Sequence, residues 1–154
     1  MTKIMIGYGT TEGQTARIAD HIAVVIRSRG VEAQALDLKQ STDVGLDGYD
    51  AVIVGGSIHM GKHEEHVVDF VQKNRIRLER LPSAFFSVSL AAHGDLENAR
   101  AYVENFEQQT GWRPAQVGLF SGAPALSSVR VPQTPHDEED CERQARWLEY
   151  RYFQ

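Results

Sequence analysis

The chain has 154 residues, 42% hydrophobic and 24% charged, with 16 Lys and Arg against 21 Asp and Glu for a formal net charge of −5. This size and balance suit one folded domain with a single core, and the acidic excess argues against nucleic acid as the main partner, because phosphate backbones are held by clustered cations. Cys141 is the only cysteine, which excludes an intrachain disulfide or a cysteine-based metal cluster; with no apolar run of roughly 18–20 residues and a start too short for a signal peptide, a cytoplasmic chain without a transmembrane segment is expected.

Strand-like and helix-like patterns alternate along the chain. Lys3 to Tyr8 is a short Ile- and Met-rich run that reads as a buried strand. Gln14 to Arg29 places Ile18, Ile22, Val25 and Ile26 on one helical face, and Gly30 marks the stop. Val31 to Leu38 is a second strand, followed by a polar connection from Ser41 to Asp50. Ala51 to Gly56 is continuously apolar, as a strand buried on both faces would be. Glu64 to Arg80 is helical with Val67, Phe70 and Val71 inward, and Ser83 to Ser89 is a fourth strand. Leu96, Ala99, Val103 and Phe106 line one face of a helix that Gly111 ends. Gln116 to Ser121 is a fifth strand, and Asp137 to Tyr152 a last helix with Cys141, Ala145 and Leu148 inward. Five strands alternating with helices imply parallel βαβ units with right-handed crossovers. A single doubly wound α/β domain over residues 1–154 is the expectation.

The segment from Gly7 to Thr15, Gly-Tyr-Gly-Thr-Thr-Glu-Gly-Gln-Thr, leaves the first strand and opens the first helix. Ligands of such sheets bind beyond the carboxyl ends of the strands. A helix N-terminus there offers unpaired amides and a positive dipole end to an anion. Thr10, Thr11 and Thr15 add hydroxyls, and Gly13 lets the backbone wrap closely. A Walker loop is absent, because no lysine lies between Lys3 and Lys39. Glu12 stands where a dinucleotide fingerprint needs its third glycine, although Asp37 could still mimic the ribose-binding acid of an NAD site. Several hydroxyls suit a terminal phosphate monoester; the simpler alternative is that the threonines only cap the helix.

The run Thr10-Thr11-Glu12-Gly13-Gln14-Thr15 resembles the phosphate loop of flavodoxins. Gly56 to His63, Phe85 to Leu90, Gly111-Trp-Arg-Pro114 and Phe120 to Ala123 narrow that likeness to the menaquinone-dependent protoporphyrinogen oxidases of bacteria. The resemblance implies a flavodoxin-like five-stranded parallel sheet, order 2-1-3-4-5, with helices on both faces. It implies FMN as cofactor, its phosphate held by Thr10 to Thr15. Two loops would flank the flavin ring: Ser57, Ile58, His59, Met60 and Gly61, then Ser87, Val88, Ser89, Leu90, Ala91, Ala92, His93, Gly94 and Asp95. The implied activity is six-electron oxidation of protoporphyrinogen IX, a step of heme biosynthesis, with electrons passed to a quinone. The flavin performs the chemistry, so no protein group is assigned as catalytic. The alternatives are an electron-carrying flavodoxin that serves redox partner proteins, and an interaction domain without flavin.

Beyond Ala123 the chain departs from that pattern. Gly122 to Pro135 is shorter than the family's basic, aromatic segment, and Asp137 to Asp140 is acidic, which suits a helix N-terminus and not an anionic membrane. Neither flanking loop contains Trp or Tyr, so the flavin either has one face open to a reactant or is covered by Ile58 or Met60. His59, His63 and His66 with Glu64 and Glu65 lack the His-Glu-x-x-His order, and no metal site is expected. His59, Lys62 and His63 are instead read as cationic groups near the flavin. Trp112 reads as a packing anchor. Trp147, Tyr150, Tyr152 and Phe153 form an aromatic end that packs on the domain or, alternatively, on a second copy in a homodimer.

Overall fold

The structure, a computed structural model, describes residues 2–10, 13–40, 45–59, 62–89 and 96–121. Within them the chain runs β1 (Lys3–Tyr8), α1 (Gln14–Ser28), β2 (Glu32–Asp37), β3 (Ala51–His59), β4 (Lys62–His63), α2 (Glu65–Arg80), β5 (Ser83–Ser89), α3 (Leu96–Thr110) and β6 (Gln116–Ser121). Five strands pair in parallel in the order β2-β1-β3-β5-β6, and β4 joins β3 alone as a short antiparallel partner. With β4 set aside, this is the expected order 2-1-3-4-5. The register places Met5 between Gln34 and Val52, and Val54 beside Phe85.

Side-chain alternation divides the core between the two faces of the sheet. On one face, Ile18, Ala19, Ile22, Ala23 and Ile26 of α1 pack on Ile4, Ile6, Ile53 and Phe86. On the other, Val67, Val71 and Leu78 of α2, Val103 and Phe106 of α3, and Trp112 pack on Met5, Val52, Val54 and Phe85. The neighbours Phe85 and Phe86 thus belong to opposite layers. Trp112 is the packing anchor the sequence suggests, 1% exposed. Val25, expected inward, is only half-buried, because the buried stripe of α1 is completed by Ala19 and Ala23. Those two small side chains are fully covered by the sheet.

Two features differ from the sequence reading. Strand β3 continues three residues beyond its apolar run, because Ile58 and His59 pair with His63 and Lys62 of β4. Ser57 also remains in the main sheet, opposite Val88 of β5. The polar residues gave no strand signal; their partners across the sheet supply it. The last expected helix, Asp137 to Tyr152, and the aromatic end lie outside the described residues. At the other side of the sheet, β2 has no outer strand partner among the described residues, and Arg27 of α1 donates through Nε to the Ala33 carbonyl at 2.9 Å.

Gly55 sits directly opposite Phe86, and a Cβ added to it would fall 1.9 Å from the ring carbon Cζ. The strand is pinned on both sides, so the ring itself would have to leave. Gly55→Ala is expected to destabilise the fold by about 2–3 kcal/mol, the upper range for overpacking a core. Urea unfolding measures this, and Phe86→Leu in the same background should recover part of the loss.

Candidate functional site

At the carboxyl end of β1 the chain passes Gly9 and Thr10 and re-emerges at Gly13, which begins α1. The Gly9 amide donates to the Gly55 carbonyl at 3.0 Å, tying the loop to the end of β3. Gly9 faces α2: a Cβ there would come within 2.3 Å of Val67 Cγ2, 2.6 Å of His66 Nε2 and 2.7 Å of Glu64 Oε2. Thr10 Oγ1 accepts a hydrogen bond from the Gly13 amide at 2.8 Å, which leaves its own proton free to be donated. Gly13 takes a left-handed conformation, φ 90°, and no atom of the described residues lies within 4 Å of the place a Cβ would occupy. That conformation is inexpensive for glycine alone.

The first amides of α1, from Gln14 onward, have no acceptor inside the helix. No acidic residue lies in the first helical turn. Thr15 is completely buried, and its hydroxyl oxygen has no hydrogen-bond partner among the described residues. A buried hydroxyl with no partner among the described residues, beside helix-start amides that have no acceptor inside the helix, has the donor set that an anion such as a phosphate requires. Thr11 and Glu12 lie outside the described residues.

The second part of the site is the β3–β4 hairpin. Ser57, Ile58 and His59, expected in a loop, are strand residues, and Met60 and Gly61 lie outside the described residues, as does the His59 side chain. Likewise Ser87, Val88 and Ser89 are the last three residues of β5 and are buried, so any flanking loop starts after them. Val88 belongs to the core, the Ser87 hydroxyl is taken by His63, and the buried Ser89 hydroxyl has no partner among the described residues. Leu90, Ala91, Ala92, His93, Gly94 and Asp95 lie outside the described residues.

His63 corrects the expectation of a cationic group. Its Nε2 lies 2.9 Å from Ser87 Oγ, and its ring packs on Phe85 and Phe106 at centroid distances of 5.3 and 5.0 Å. Those phenyl rings stack on each other at 4.4 Å, with Trp112 edge-on to both. Burial among these rings lowers the His63 pKa to about 4, so the imidazole is neutral at physiological pH. Lys62 beside it is exposed.

Glu64 follows immediately and precedes α2. Ser57 Oγ donates to its Oε1 at 2.5 Å, and His66 Nε2 lies 2.9 Å from its Oε2, an ion pair whenever that imidazole is protonated. The carboxylate side chain is 8% exposed and the imidazole 27%. A cleft of about 330 Å³ separates the β1–α1 loop from this hairpin, with Thr10, Lys39, Lys62 and His66 in its walls. Asp37 is bound up locally, its Oδ1 accepting from the Lys39 amide at 2.9 Å. No group of three His, Cys, Asp or Glu side chains among the described residues is placed to hold a metal ion. The sequence reading missed the Ser57–Glu64 and His63–Ser87 pairs, which the fold brings together from positions 7 and 24 residues apart with no local signal.

An open parallel sheet with helices on both faces, an anion-receptive loop after β1, and a second site element after β3 defines the class of α/β proteins that bind a nucleotide-like ligand at the topological switch point. The chain belongs to the Flavodoxin domain family, whose pattern it matches over residues 5–133. It is 31% identical over 124 residues to protoporphyrinogen IX dehydrogenase [quinone] of Escherichia coli strain K12, an alignment covering 79% of this chain and 68% of that one. Among solved structures it is similar to oxidised flavodoxin 1 of Bacillus cereus, with a TM-score of 0.68 at 20% identity over 97% of this chain and 99% of that one. It also resembles the FMN-bound flavodoxin of Fusobacterium nucleatum, with a TM-score of 0.58 at 13% identity over 97% and 98% of the two chains. The chain is a flavodoxin-like oxidoreductase, and the FMN expectation agrees with these likenesses. No helix among the described residues is long and apolar enough to cross a membrane.

The neutral His63 makes a pH prediction. Between about 6.5, the ordinary imidazole value, and about 4, the unfolded chain binds a proton that the folded chain does not. Stability contributed by the neutral ring is therefore complete above pH 6.5 and is lost as pH falls toward 4, by on the order of 3 kcal/mol. Urea midpoints across this interval should show that slope, and His63→Phe should flatten it.

Proposed function

We propose that this chain binds FMN and uses it to oxidise a porphyrinogen, passing the electrons to a quinone. The observation that carries the cofactor assignment is the buried, unpartnered Thr15 hydroxyl at the acid-free start of α1. Thr10, Gly13, Gln14 and Thr15, with Thr11 and Glu12 between them, hold the phosphate through backbone amides and hydroxyls. Ser57, Ile58 and His59, with Met60 and Gly61 after them, and the segment that follows Ser89 wall the ring. The flavin supplies hydride and electron transfer when bound; the protein supplies position, exclusion of water and electrostatics. With His63 neutral, Lys62 is the cationic group among the described side chains of the hairpin. The 31% identity to the Escherichia coli dehydrogenase, two thirds of whose length the alignment spans, supports the porphyrinogen and quinone parts of this reading. In this reading residues 1–154 form one domain that works in the cytoplasm.

A second reading is supported by the solved neighbours, whose lengths this chain matches almost completely: a flavodoxin that carries electrons between proteins. Purified protein should carry the visible absorbance of an oxidised flavin. Quinone-dependent oxidation of protoporphyrinogen then separates the readings, since a carrier lacks that turnover. Protein that neither retains nor takes up FMN would overturn both. Thr15→Ala removes one hydrogen bond to a charged group, worth about 1.5–3 kcal/mol, so FMN affinity should fall roughly ten- to hundredfold. Fluorescence titration of FMN reads this directly.

A further inference from the structure

The two walls of the site are separate pieces of chain, and Glu64 touches both. Its Oε1 holds Ser57 on the hairpin. Its Oε2 lies against the Gly9 backbone at the root of the β1–α1 loop, close enough that a Cβ on Gly9 would sit 2.7 Å away, and beside His66 in the first turn of α2. A carboxylate only 8% exposed is costly to bury unless its oxygens are engaged. Glu64 makes no side-chain cap to its own helix, so helix capping does not account for its position.

We propose that Glu64 is a positioning residue that fixes the hairpin wall against the phosphate-loop wall and so sets the spacing that FMN must fit; the last step rests on the FMN reading above. Ser57 and His66 orient the carboxylate from opposite ends. Gly9 provides the room that lets the carboxylate approach the loop backbone. The contacts are made by the protein's own side chains, and preorganisation of this kind raises affinity by removing the ordering that binding would otherwise require.

The test compares Glu64→Ala with Glu64→Gln, which keeps the shape and an acceptor for Ser57. Amide hydrogen exchange in the cofactor-free protein is the first readout. Exchange of the Ser57, Ile58, His59, Lys62 and His63 amides should quicken about tenfold in Glu64→Ala, the loss of a charged hydrogen bond, and return toward wild type in Glu64→Gln, while core amides of β1 stay protected. FMN titration is the second: affinity should fall about tenfold for Glu64→Ala and recover to within about threefold for Glu64→Gln. Ser57→Ala should add little to Glu64→Ala, because the two share one interaction. Unchanged hairpin exchange in Glu64→Ala would overturn the brace. So would a uniform loss of stability that Glu64→Gln does not rescue, or quickened exchange with unchanged FMN affinity. If the wild-type protein binds no FMN, the cofactor reading fails by itself, and the exchange comparison still decides whether Glu64 joins the two walls.

Discussion

The close approach of β1, β3 and α2 at two glycines is the constraint on which the rest of the site depends. Gly55 lies under the Phe86 ring, and Gly9, bonded through its amide to the Gly55 carbonyl, lies under the first turn of α2. Any side chain at either place would meet atoms closer than van der Waals contact. With hydrogen alone there, the ends of the two strands and the start of α2 converge. The β1–α1 loop, the hairpin and the buried carboxylate between them all inherit their positions from that convergence.

The electrostatics follow the same geometry. One imidazole, His63, is drawn into the aromatic layer of Phe85, Phe106 and Trp112 and kept neutral; another, His66, stays at the rim beside a carboxylate. Two residues of the same chemistry three positions apart are thus given different work by burial alone. One anchors the hairpin to the core, and the other completes the pairing of Glu64.

Much of the sheet was legible in the sequence because β1 and β5 are buried on both faces, as is β3 through Gly56. Lys3–Tyr8, Ser83–Ser89 and Gln116–Ser121 were bounded correctly by their apolar runs, and α2 starts one residue later than its pattern suggests. The turn from β1 into α1 was legible too, since the glycines and threonines from Gly7 onward separate a buried strand run from a helical period. The hairpin was not. Ser57, Ile58 and His59 pair with residues a few positions on and with β5, and polar strand residues give no periodic signal of their own. The charge on His63 was misread for a related reason: neutrality comes from Phe85 and Phe106, far away in sequence.

The Arg27 bond to the Ala33 carbonyl has a consequence for the life of the protein in a crowded solution. A sheet border with open carbonyls and amides is a template onto which another extended chain can add. Here one of those carbonyls is already occupied by a guanidinium, and a flexible cationic side chain stands where an incoming strand would have to lie. Glu32 and Gln34, exposed on the same short strand, add charge and polarity along it. Among the described residues this margin of β2 is thereby capped at one carbonyl, and replacing Arg27 by an apolar residue would reopen that carbonyl to an incoming strand.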